Sequence, residues 1–167
     1  MKAAQPPPFT FQPGRHLDLP DDTMHDPYHE RGKLSETSVC SDCGAVYRQG
    51  RWQWVTPPVD ALQVRCAACR RIHEKLPAGY VSIEGQFARE HRDELLSRAR
   101  NLEAREKAEH PLQRIMSIEE QDDKLVIATT DIHLARGIGE ALEHAYKGAL
   151  DFHYNKAEYL LRVRWQR

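Results

Sequence analysis

The chain has 167 residues, of which 29% are charged and 40% hydrophobic, with a formal net charge of -1. That length fits one ordinary domain or two small ones, and the apolar fraction sustains only a thin core. A charge so close to zero removes any global signal for nucleic acid, so such a signal has to be local.

Residues 1 to about 32 are rich in proline, with scattered acids and three histidines and no sustained period. This composition reads as an extended arm that does not fold by itself. Its Phe9, Phe11 and Tyr28 are candidate anchors to a protein partner. The opening "MKAAQPPPFTFQPG" has no apolar h-region, and no apolar run approaches the ~18 residues of a membrane span. The expectation is a cytoplasmic protein with no membrane contact, in a compartment that keeps thiols reduced.

Residues 33 to 78 hold every cysteine, as Cys40 with Cys43 and Cys66 with Cys69. A C-x2-C pair suits a tight knuckle that presents both sulfurs to one metal, and a second knuckle completes a tetrahedron. Between the pairs, "AVYRQGRWQWVTPP" reads as a hairpin turning at Gln49-Gly50, stopped by Pro57-Pro58. The spacing predicts a zinc ribbon with one structural Zn²⁺ on Cys40, Cys43, Cys66 and Cys69. A closed four-thiolate site differs from a catalytic zinc, which keeps an open position. A redox C-x2-C needs a helix N-terminus, which neither pair shows in the sequence. Paired knuckles around a hairpin favour zinc over an iron–sulfur cluster. His73 is read as solvated rather than as a substitute ligand.

From Gly79 the pattern changes to alternating elements. "YVSIEG" reads as a strand, and "QFAREHRDELLSRARNLEAREKAEH" as one long helix with an apolar stripe at Ala88, Leu95, Ala99 and Leu102. Glu94 with Arg98 and Glu103 with Lys107 stand at favourable i,i+4 spacing. "QRIMSIEEQ", a "DD" turn and "KLVIATT" read as two strands. Asp131 is placed to cap "IHLARGIGEALEHAYKG", with an apolar face at Ile132, Ala135, Ile138, Leu142 and Ala145 and with Gly148 just past the end. Gly137 and Gly139 inside that helix are read as allowing close packing on the sheet. "ALDFHY" and "YLLRVRW" form a closing hairpin. The order β-α-β-β-α-β with that hairpin predicts an α+β chain: a zinc ribbon followed, over residues 79 to 167, by a ferredoxin-like domain with both helices on one face of an antiparallel sheet. Val81, Ile83, Ile127, Leu142, Leu161 and Val163 are its predicted common core.

Residues 31 to 79 carry eight basic residues against four acidic ones. Arg48 and Arg51 flank the hairpin turn beside Trp52 and Trp54, and Arg70 and Arg71 follow the second knuckle. Arginines interleaved with aromatics suit phosphates and unpaired bases. Arg162 and Arg164 form a second basic patch, opposite Val163 and Trp165. The strands lack the stacking aromatics of an RNA-recognition motif, so that family is set aside. No phosphate-binding loop, dinucleotide fingerprint or nucleophile elbow is present, so no enzyme is expected.

The cysteine knuckles together with "TTDIHLARGIGEALEHAYKGALDFHYNKAEYLLRVRW" resemble a group of small bacterial zinc-ribbon proteins. That group is distantly similar to the archaeal and eukaryotic adaptor that exports the large ribosomal subunit. The resemblance implies zinc knuckles ahead of an α+β domain, and contact with RNA or a ribosome. This chain departs in having cysteines for one zinc, where the adaptor carries more. The expected function is non-enzymatic binding of structured RNA or a ribosomal subunit; the alternative is a zinc-stabilised protein-interaction adaptor in transcription or quality control.

Overall fold

The computed structural model describes residues 26–28, 34 and 37–167. Most of the predicted arm, including Phe9 and Phe11, lies outside the described residues.

The first unit is a small four-stranded sheet. Strands β1 (Ser38–Cys40), β2 (Val46–Arg48), β3 (Arg51–Gln53) and β4 (Leu62–Val64) align in the order β3-β2-β1-β4. The β2–β3 turn falls on Gln49 and Gly50, both at positive φ of 53° and 79°. That is the pairing a two-residue primed hairpin turn requires. A helix absent from the sequence reading, α1 (Ala67–Glu74), begins inside the second knuckle, straight after Cys66, and includes Cys69.

Residues 75 to 78 lead straight into the second unit. Its elements are β5 (Gly79–Glu84), α2 (Gln86–Glu90), α3 (Arg92–Glu109), β6 (Ile115–Gln121), β7 (Lys124–Thr129), α4 (Ile132–Tyr146), β8 (Ala149–Asn155) and β9 (Leu160–Gln166). The predicted long helix is thus two helices, with a break at His91, whose φ and ψ of -114° and 23° leave the helical region. The carboxylates of its two predicted i,i+4 pairs hydrogen-bond elsewhere. Glu94 accepts from the Tyr146 hydroxyl, and Glu103 accepts from the Ile115 N–H at 2.7 Å. Asp131 caps α4 as expected, accepting from the N–H groups of His133 at 2.8 Å and Leu134 at 3.1 Å. The Asp122-Asp123 turn has φ of 48° and 62°, a left-handed pair that short polar side chains tolerate.

The larger sheet runs β6-β7-β5-β9-β8. Its β6, β7 and β5 pair antiparallel, as a ferredoxin-like order requires. The closing hairpin departs from that order. A ferredoxin-like sheet sets the strand after its second helix beside the first strand. Here β9 takes that place and runs parallel to β5, and β8 is pushed to the edge. The sheet is therefore mixed. Hydrophobicity explains the exchange: Leu161, Val163 and Trp165 of β9 are fully buried, whereas no residue of β8 is. The more apolar strand takes the inner position.

Val81, Ile83, Ile127, Leu142, Leu161 and Val163 lie in one buried cluster with Leu95, Ile138 and Trp165. Ala145 is exposed, and Leu134 is buried instead. The two helix glycines differ. A Cβ on Gly139 would stand 2.5 Å from Val163 Cγ1 and 2.9 Å from Leu150 Cδ1, so this glycine sets how closely α4 lies on the sheet. A Cβ on Gly137 would meet only Leu102, at an ordinary 3.5 Å. Gly137→Ala is therefore expected to stabilise by about 0.5–1 kcal/mol through helix propensity. Gly139→Ala is expected to destabilise by about 1–3 kcal/mol through overpacking against stiff Val163. Urea unfolding midpoints of opposite sign check the pair.

Candidate metal centre

The two knuckles meet where β1 ends and α1 begins. The first knuckle closes through backbone bonds from Gly44 N–H to Cys40 C=O at 2.9 Å and from Cys40 N–H to Ala45 C=O at 2.8 Å. Gly44 sits at φ 79°, a left-handed position that suits glycine. In the second knuckle Cys66 is the N-cap of α1, and its sulfur accepts from the Cys69 N–H at 3.4 Å. The second pair thus does sit at a helix N-terminus, contrary to the sequence reading, which had no helix there. The Cys40 sulfur in turn accepts from the Cys66 N–H at 3.3 Å.

All four sulfurs lie within 4.8 Å of one another, and those of Cys43 and Cys66 are 3.9 Å apart. A tetrahedron with metal–sulfur bonds of ~2.3 Å has edges of about 3.8 Å, so the spacing fits one metal ion. Cys40, Cys66 and Cys69 are buried and no pair is bonded as a disulfide. His73 is exposed on α1, outside this group. The chemistry of the set matches its geometry: four soft thiolates leave no open position for a substrate.

A residue not singled out from the sequence completes the surroundings. Arg114, in the loop between α3 and β6, is only 7% exposed and points into the sulfur cluster. Its Nη1 donates to Cys69 Sγ at 3.2 Å, and its Nη2 donates to Cys43 Sγ at 3.1 Å and to Cys66 Sγ at 3.8 Å. The hydrogen bond between the Cys43 and Cys66 sulfurs pushes the Cys43 thiol down to about 4, and Arg114 adds to the shift. The same bond, with burial, pushes Cys66 up. Burial would lower the Arg114 pKa, but its bonds to Cys43 and Cys69 outweigh this and hold it above the usual arginine range.

The predicted RNA contacts are dispersed. Arg48 and Arg51 are exposed and directly opposite each other at the hairpin tip. Trp54 is 40% exposed, with its indole N–H donating to Lys107 C=O at 2.7 Å. Trp52 is half-buried, edge-on to Tyr47 and packed against the cysteine cluster. Arg70 is half-buried, 5.2 Å from the Tyr28 ring. Arg71 is turned inward and 3% exposed: it pairs with Asp26 at 2.6 Å, donates to Leu76 C=O at 3.0 Å and stacks on Tyr28. Arg162 is also buried. Arg164 grips Glu84 Oε2 through Nε at 3.1 Å and Nη2 at 3.0 Å. Burial raises the Glu84 pKa, but donors from Ser82 and Arg164 overcome this and hold it below the usual range. Arg71 and Arg164 are thus engaged inside the fold. Arg48, Arg51 and Trp54 remain as the exposed members of the predicted set.

No protein-family model, curated protein or solved structure matches this chain. Among the described residues no helix is long and apolar enough to cross a membrane.

Proposed function

We propose that the protein is a non-enzymatic zinc-ribbon protein that binds structured RNA or a ribosomal subunit through the tip of its first unit. Zinc is the reading for the metal because four thiolates in a closed tetrahedral group match its preference. The observation that supports RNA is the exposed Arg48–Arg51 pair at the hairpin tip, with Trp54 exposed just after the end of β3. Guanidinium groups pair phosphates, and an exposed indole offers a face to an unpaired base. A ferredoxin-like ancestry of the larger domain, altered in its closing hairpin, belongs to the same proposal. So does a cytoplasmic location.

A specific observation favours the adaptor as the second reading. Among the described residues, the large hydrophobics that stay well exposed are Trp54, Val55, Val59, Leu62, Ile72 and Leu76. All belong to the ribbon unit, and a concentration of this kind marks interaction surfaces.

Filter binding of wild type and Arg48→Gln/Arg51→Gln to ribosomal RNA over a salt series separates the two. Each phosphate contact removed is expected to reduce the slope of log K against log salt by about 0.7–0.9. Trp54→Ala is expected to cost about 1–3 kcal/mol if the indole stacks on a base. Zinc content is measured in parallel so that a lost ribbon is not mistaken for a lost contact. Equal slopes and affinities overturn the RNA reading. Salt-insensitive binding of a protein, weakened by Val59→Asp or Leu62→Asp, supports the adaptor instead.

A further inference from the structure

The metal centre is not built by the ribbon alone. Each sulfur has a hydrogen-bond donor, but the donors come from two units. Cys40 and Cys66 accept from backbone N–H groups of the second knuckle. Cys43 and Cys69 receive the guanidinium of Arg114, from the far side of the ribbon–sheet boundary. That side chain is clamped. Its Nε donates to Pro111 C=O at 2.8 Å, and its own N–H donates to Thr130 Oγ1 at 2.9 Å. The Thr130 N–H returns a bond to Arg114 C=O at 2.9 Å, and Thr130 Oγ1 donates to Leu112 C=O at 2.6 Å. Leu112 packs on the cysteine cluster, and Thr130 directly precedes the cap of α4. The cation is therefore fixed to the larger sheet before it meets the sulfurs.

A divalent ion with four thiolates carries a net charge of about -2. Burying that charge is unfavourable without a counterion. One guanidinium halves it, and its planar fork reaches more than one sulfur at once, which a lysine ammonium does not do. Donors to metal-bound ligands hold those ligands in place and tune the site. The dependence also runs the other way. With the metal gone, nothing gathers the sulfurs of the two knuckles into one cluster, and the buried guanidinium loses the fixed acceptors at Cys43 and Cys69. A buried cation without its partner is strongly unfavourable, so the contact would open.

We infer that Arg114 is a positioning residue of the metal centre, contributed by the larger domain, and that metal occupancy docks the ribbon onto that domain. The inference rests on the metal reading above. Loss of the ion would free the ribbon to move as well as unfold it.

The test uses full-length protein loaded with zinc, as wild type, Arg114→Lys, Arg114→Gln and Thr130→Val. Zinc release to a chromophoric chelator is expected to be about 10–100-fold faster for Arg114→Gln. Arg114→Lys should fall between, since it keeps the charge and loses the fork. Thr130→Val keeps the guanidinium and its bond to Pro111 but loses the Oγ1 contacts that hold the Arg114 backbone, so a smaller acceleration is expected. It carries the test if the Gln variant does not fold. Hydrogen exchange supplies the second readout. Chelation of wild type should speed exchange across residues 110 to 116 while β5 and β9 stay protected, and zinc-loaded Arg114→Gln should already show the faster pattern there. Wild-type release rates in all folded variants, or unchanged exchange of that loop on chelation, would overturn the inference while leaving the metal reading intact. A wild-type chain that takes up no zinc overturns both.

Discussion

Removing the metal is expected to dissolve the first unit and spare the second. The buried apolar residues of the first unit are few, Val39, Ala45, Val46 and Ala68 beside Cys40, Cys66 and Cys69, so the cysteines make up much of its core. A unit of this size does not fold on such a core. Metal binding to a structural site of this kind supplies about 10–16 kcal/mol, which becomes folding free energy. Cys66→Ala removes a ligand, the N-cap of α1 and an acceptor for the Cys69 N–H in one change. The expected result is loss of bound zinc and loss of protection across β1 to α1, with the strands of the larger sheet still protected. Elemental analysis and hydrogen exchange read the two halves separately. One zinc per chain in Cys66→Ala would refute the four-thiolate assignment.

Trp165→Ala is expected to be the most damaging single change in the larger domain. The indole is fully buried in β9, packs edge-on to Phe87 and Tyr146, and donates to Lys147 C=O at 2.7 Å. Truncation leaves a cavity in the middle of the sheet and a carbonyl at the end of α4 without its indole donor. Large-to-small aromatic changes cost about 3–5 kcal/mol, and loss of the bond adds about 1 kcal/mol. Against a typical domain stability of about 5–15 kcal/mol, the variant should melt markedly earlier. Trp165→Phe should recover much of the packing but not the bond. A Trp165→Ala chain with an unchanged urea midpoint would show that the indole is not part of the buried core.

Much of this could be read from residue order. Leu161, Val163 and Trp165, at every second position, matched the buried residues of β9, Asp131 marked the start of α4, and the two C-x2-C pairs named the four cysteines that cluster. All of these are local signals, set by side-chain period, backbone preference or spacing. What escaped the sequence is non-local. Period tells which face of β8 or β9 is buried and is silent on which strand lies beside β5. Arg114 reaches sulfurs 45 and 71 residues away in sequence, and "PLQRIM" carries no mark of that role. Arg71 looked like a surface cation because its partner, Asp26, is likewise 45 residues away. The eight residues of α1 were hidden by the knuckle motif that opens them.

The insertion of β9 between β5 and β8 has a consequence for how the chain reaches this state. β5 opens the larger domain, and its parallel neighbour is the last strand of the described fold. On a chain emerging during synthesis, β5, β6 and β7 can pair early, but one edge of β5 must wait until nearly the whole domain has been made. Closing so long a loop is slow compared with forming hairpins or helices. Through that interval the residues of β5 that pair with β9, Val81 and Ile83 among them, lack that neighbour, and the open edge of β5 is available to any extended segment. Sheet completion is thus the step at which a nascent chain would most need shielding from its neighbours, and the step most readily diverted by crowding.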